Sequence, residues 1–239
     1  MQKLSYEKNV LLITNYFSQK PSSHHLIATD ALYNVLKQIK TVNITAFDVF
    51  DPALDNRTLS YLKKFDLIAI DFMDGGYDIA PRFPNFTRNL MTYIKDGGAL
   101  FTGHDQFDSV HKGYITPQAI EMLSLLGFIH KSGPFEGSTA YFEKSAIQNS
   151  IFLTNYVLDG DQIKIAGTHQ TYSTYDNSCT TCKVVLKFEK DGPDSSEYLV
   201  TNRVGKGKIV NIRAGHSSGF TEDERKIFLS SILWLLYDI

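Results

Sequence analysis

The chain of 239 residues has only two cysteines, one tryptophan and seven prolines. Nowhere does an apolar run approach the roughly 20 residues that a membrane-spanning helix requires, so no membrane insertion is expected. Charge of one sign is also missing. The 24 basic and 26 acidic residues leave a formal charge of −2, which provides no global field to gather nucleic acid or an anionic surface, and no basic stripe makes up for it. There is no Pro-rich or low-complexity linker and no repeat at a solenoid period, so residues 1–239 read as a single domain. With 43% hydrophobic residues a chain of this length can bury a sizeable core.

Other absences bear on chemistry. Gly97, Gly98 and Gly103 do not form a dinucleotide fingerprint, and no Walker-type phosphate loop occurs, so no nucleotide cofactor is expected. Cys179 and Cys182 form a lone Cys-Thr-Thr-Cys, whereas a tetrahedral zinc site needs two further ligands at similar spacing. The separation of His104 and His111 does not match one helical face, and no metal is expected. The cysteine pair reads as inert or as a local disulfide in a Ser/Thr-rich loop. Its position before the strand "KVVLKFE" is not the helix N-terminus of a thioredoxin-like redox site.

Compartment signals conflict. The opening "MQKLSYEKNVLLITNYF" sets Glu7 and Asn9 before a short apolar segment, so the chain as written shows no secretion signal and reads as cytoplasmic by default. Asn43, Asn56 and Asn85 each begin an Asn-x-Thr sequon. If the protein is exported, these three are glycosylation acceptors and the Cys pair is oxidised.

What the sequence does contain is a succession of strands and helices. "NVLLIT" at residues 9–14 is the continuous apolar run of a strand buried on both faces. A polar loop follows, and Leu26, Ile27, Leu32, Val35, Leu36 and Ile39 recur at helical spacing. Strand "VNITAFDVF", helix "DNRTLSYLKKF", strand "DLIAIDF", helix "FPNFTRNLMTYIKDGG" and strand "ALFTG" continue the alternation, and right-handed crossovers make the strands parallel. After a helix over "TPQAIEMLSLLGF", the segments "STAYFEKS", "KIAGTHQTYS", "KVVLKFEK" and "EYLVTNR" alternate as antiparallel or edge strands do. The chain closes with strand "KIVNIRA" and a helix opened by Thr221 and Glu224, which have capping-box spacing. The expected fold is α/β: a flavodoxin-like, doubly wound, mainly parallel sheet with β-rich insertions in the second half.

In such sheets ligands bind beyond the carboxyl ends of the strands. Asn15 and Tyr16 follow the first strand, with His24 and His25 further along. Asp71, Asp74, Gly75 and Gly76 follow the third; Gly103, His104, Asp105 and Gln106 the fourth; His216 and Ser217 the last. Each alone also fits a bland role. Asp71 could cap a loop, Gly75 and Gly76 permit a turn, and His104 be a satisfied buried imidazole. Four strand ends converging on one crevice are more specific. His104, Asp105 and His216 have the residue types for acid–base work, and Asn15, Tyr16, Asp71, Asp74, Gly75, Gly103, Gln106 and Ser217 those of a ligand-binding rim.

Segments "FDLIAIDF", "DGGALFTGHDQFDSVH" and "GKGKIVNIRAGHSSGF...ILWLL" resemble the ThuA-like (trehalose-utilisation) proteins, which have a Gly-Gly before the strand, a His in its turn, and a closing Gly-His loop with a Trp-bearing helix. Residues 113–200 lie outside the resemblance. It implies the fold of class I glutamine amidotransferases, in which a Cys occupies the turn after the fourth strand and a late His completes the pair. This sequence has His104 at or near the first place and His216 near the second, so the resemblance implies no glutaminase activity.

Two functions follow from these readings. One is a carbohydrate-associated binding or processing protein whose crevice hydrogen-bonds hydroxyls, with Tyr16, Phe72 or Phe107 as a stacking face. The other is a noncatalytic interaction module of an extracellular or cell-surface assembly, with a protein partner and compatible with oligomerisation. Whether any bond is broken is left open.

Overall fold

The computed structural model describes residues 6–15, 31–72, 79–103, 106–107, 115–130, 139–142, 162–165, 173–188, 197–214 and 220–238. Five parallel strands make the framework: β1 (Lys8–Thr14), β2 (Val42–Asp48), β3 (Leu67–Ile70), β4 (Ala99–Gly103) and β11 (Gly207–Ile212), in the spatial order β2-β1-β3-β4-β11. The sheet then continues antiparallel through β10 (Glu197–Val204), β9 (Cys182–Phe188), β6 (Thr139–Phe142) and β7 (Gln162–Lys164), reaching nine strands. A separate two-stranded sheet pairs β5 (Phe128–His130) with β8 (Ser173–Tyr175).

The apolar run of β1 explains its central place. Val10, Leu11, Leu12 and Ile13 have no exposed surface, which requires cover on both faces. Side chains alternate across a strand. Val10 and Leu12 therefore join the core beneath α1 (Ala31–Lys37) and the C-terminal helix, while Leu11 and Ile13 join the core beneath α4 (Pro84–Lys95) and α5 (Pro117–Leu126). The C-terminal helix, α6 (Glu222–Tyr237), begins where the capping box predicts. Thr221 Oγ1 accepts from Glu224 N at 3.1 Å, and Thr221 N donates to Glu224 Oε2 at 2.9 Å. Among the described residues, no helix is long and apolar enough to cross a membrane.

Two sequence expectations need correction. Residues 55–65 do not form one helix. A 3-10 turn at Pro52–Asn56, capped by Asp51, is followed by the single helical turn α2 (Leu59–Leu62), capped by Thr58. Two competing N-caps seven residues apart break what helical spacing alone would join. Arg57 lies at the break, with its guanidinium 4.5 Å from the Phe47 ring centroid and 4.8 Å from that of Tyr61. The "KIAGTHQTYS" segment is likewise not one strand. Lys164 ends β7 in the large sheet, whereas Ser173 begins β8 in the small one.

Burial of two phenols gives the fold an alkaline limit. Burial holds the Tyr93 hydroxyl protonated well above its ordinary value of 10.0, as do burial and the Glu224 carboxylate for Tyr198, whose hydroxyl donates to Glu224 Oε1 at 2.7 Å. A phenol with a raised folded-state value keeps a proton that the unfolded chain has released. Its stabilisation is complete below about pH 10 and is lost as pH rises from there through the folded-state value. Lys208, whose charged form burial disfavours, gives an opposite slope below its ordinary value, so the comparison must be differential. The melting temperature of Tyr93→Phe should fall less steeply than that of wild type above about pH 10; parallel profiles would refute this.

Candidate functional site

The chain leaves β1 for β2 on one side and reaches β3 on the other, which makes the carboxyl ends of β1 and β3 the switch point of the sheet. The β3 end carries Asp71, a carboxylate with no exposed surface. Such burial is costly unless hydrogen bonds replace water. Thr14 Oγ1, from the end of β1, donates to Asp71 Oδ2 at 2.9 Å, and Phe72 N donates to Asp71 Oδ1 at 2.9 Å. The Asp71 backbone N–H donates to Ile13 O at 2.9 Å, continuing the β1–β3 ladder past the last strand residue. Two adjacent strands and their side chains thus fix this carboxylate in place.

The next strand over, β4, ends at Gly103. Beyond it Gln106 is buried, and its carbonyl accepts from Ile79 N at 3.0 Å, tying the turn to α3 (Ile79–Arg82). Asn15, Asp71, Gly103 and Gln106 are therefore all at the carboxyl edge of the parallel strands. The other proposed site residues, Tyr16, Asp74, Gly75, His104, Asp105, His216 and Ser217, lie outside the described residues, as do His24, His25 and Gly76.

Phe72 and Phe107 are not a stacking face for a ligand. They are 0% and 2% exposed. The Phe72 centroid lies 4.9 Å from that of Phe228 and 5.0 Å from that of Phe220, because its place after β3 points it into the core beneath α6. Cys179 and Cys182 are joined with an S–S distance of 1.97 Å. Asn43, Asn56 and Asn85 are exposed; Asn43 Nδ2 donates to Glu7 Oε2 at 3.1 Å and Asn85 Nδ2 to Asp55 Oδ2 at 3.0 Å.

Sequence reasoning passed over Arg213. It follows β11, is 3% exposed, and donates from Nη2 to Ser173 O at 3.0 Å and Ser173 Oγ at 3.3 Å. Its guanidinium lies 4.3 Å from the Phe128 centroid. This packs the small β5–β8 sheet against the end of β11. A signal was present, since Asn211 and Arg213 continue the inward alternation of Ile209 with polar residues.

No family model and no curated protein matches the sequence. Solved structures do match along nearly its whole length. A ThuA-like protein of Parabacteroides merdae aligns with a TM-score of 0.66 at 10% identity, covering 97% of this chain and 91% of that one. PurLQS of Thermotoga maritima aligns with a TM-score of 0.57 at 18% identity, over 96% of this chain and 99% of that one. The chain has the ThuA-like, amidotransferase-type fold. A β-galactosidase of Bacillus circulans carries this fold as part of a longer chain, with a TM-score of 0.56 at 13% identity over 98% of this chain and 31% of that one. The turn after β4 begins Gly103, His104, Asp105 in this sequence. Its only two sulfhydryl side chains are bonded to each other. Of Asn15, Asp71, Gly103 and Gln106 only Asn15 is partly exposed, and the described residues include no free thiol.

Proposed function

We propose that the crevice over Asp71 serves a carbohydrate-associated role, binding or processing a small sugar, without glutaminase activity. The observation that carries this is the gathering of Asn15, Asp71, Gly103 and Gln106 at the carboxyl edge of the parallel strands, where ligands bind in sheets of this kind; Asp71, buried and held by Thr14 and the Phe72 N–H, orders the strand ends there. The absence of a free thiol argues against thioester chemistry. Two likenesses support the sugar reading: one to a ThuA-like protein, the other to about a third of a β-galactosidase chain. The second also favours an alternative, a noncatalytic module within a carbohydrate-active assembly.

The test is a thermal-shift screen of wild type and Asp71→Asn against common mono- and disaccharides. A ligand that binds only the native state raises the melting temperature, by RT ln(1 + [L]/Kd) in free energy. A sugar-dependent rise in wild type that is lost in Asp71→Asn supports the sugar site. A folded wild type that responds to none of them favours the module, and the search then turns to a protein partner.

A further inference from the structure

On the α4–α5 side of the sheet, the two-residue alternation that buries Leu100 of β4 and Ile209 of β11 places polar residues one step further along. Thr102 and Asn211 are register partners on these adjacent parallel strands and are 1% and 7% exposed. Among the described residues, Thr102 Oγ1 and Asn211 Oδ1 have no hydrogen-bond partner. They do not bond each other, although neighbouring strands stand only about 4.8 Å apart. Both line a cavity that Phe107, Leu123 and Leu126 close with apolar surface and that Ser173 and Arg213 border.

We infer that this cavity is a binding site for one ordered water molecule bridging Thr102 Oγ1 and Asn211 Oδ1. Its volume of about 10 Å³ accommodates a single water and nothing larger. The water donates to the Asn211 carbonyl oxygen, which can only accept, and exchanges its second bond with the Thr102 hydroxyl, which can donate or accept. A cation does not fit beside the Arg213 guanidinium, and an anion does not fit against the Asn211 oxygen. Gly103 and Arg213 line the site, and they precede His104 and His216 in the sequence. The bridged ends of β4 and β11 are thereby held at a fixed spacing. This inference does not depend on the sugar reading.

Thr102→Val is nearly isosteric and distinguishes the cases by sign. With a bridging water, the valine strips it of a partner and leaves Asn211 unsatisfied, so the melting temperature should drop by about 2–4 °C while Thr102→Ser, which keeps the hydroxyl, stays near wild type. In a dry cavity the valine removes an unsatisfied hydroxyl, and an unchanged or raised melting temperature would overturn the inference. A crystal structure of wild type gives the second reading, independent of either variant. Density for one water within hydrogen-bonding distance of both atoms supports the inference. A cavity without density, or an anomalous peak there after bromide soaking, overturns it.

Discussion

Phe228→Ala should lower the free energy of unfolding by about 3–5 kcal/mol, a large share of what a domain of this kind possesses. Phe228 has no exposed surface. Its ring lies between Phe72 at 4.9 Å, Phe220 at 5.1 Å and Phe101 at 6.2 Å, in tilted and edge-on arrangements. Such pairs contribute about 0.5–1.5 kcal/mol each beyond the area they bury. The four rings come from four places: the end of β3, the middle of β4, the approach to α6 and α6 itself. Removing one ring therefore leaves a cavity that no single element can close, and the cost should lie at the upper end of the range. Urea denaturation measures it directly, with Phe228→Leu as the control that restores most of the volume. A loss below about 1 kcal/mol, the scale of an ordinary surface substitution, would mean that this cluster does not hold α6 to the sheet.

The same cluster marks how far the sequence could be read. Strands β1, β3 and β4 were legible because full burial leaves apolar runs, β11 because of the β-branched alternation in "KIVNIRA", and α6 because Thr221 and Glu224 announce its start. Phe228, Ile232 and Leu235, at helical spacing, form its buried face. Asn15, Asp71, Gly103 and Gln106 were legible as a group because the end of a parallel strand is a place that topology defines. The orientation of each side chain was not. Phe72 looked like a rim residue because it follows Asp71, yet one step along an extended chain reverses the face, and this ring is buried. The bond between Thr14 and Asp71 joins residues 57 apart, and nothing local to either encodes it. The break at Arg57 was hidden for a different reason: both halves carry helical spacing, and the outcome was decided by two caps, at Asp51 and Thr58. Arg213 meets Ser173 of β8 across 40 residues, likewise a long-range contact.

Gly103→Ala should be more damaging than its size suggests, at a cost of at least about 3 kcal/mol. A Cβ on Gly103 would lie 2.0 Å from Ile212 O and 2.8 Å from the Phe72 ring. Ile212 is the register partner of Gly103 in the β4–β11 ladder, so the atom that must move is backbone in a central strand, not the end of a flexible side chain. Relief requires the strand ends to part, which would widen the Thr102–Asn211 spacing. Gly97→Ala is the informative comparison. Gly97 has φ +111°, where an L side chain is strained, but its Cβ would only touch Lys206 Cβ at 3.4 Å. That variant should cost about 1–2 kcal/mol, the usual scale of left-handed strain. If denaturation shows Gly103→Ala to be the more costly of the two, close backbone approach at the carboxyl end of β4 outweighs dihedral strain beyond its amino end. If Gly97→Ala costs more, the ends of β4 and β11 yield readily and do not form a rigid platform.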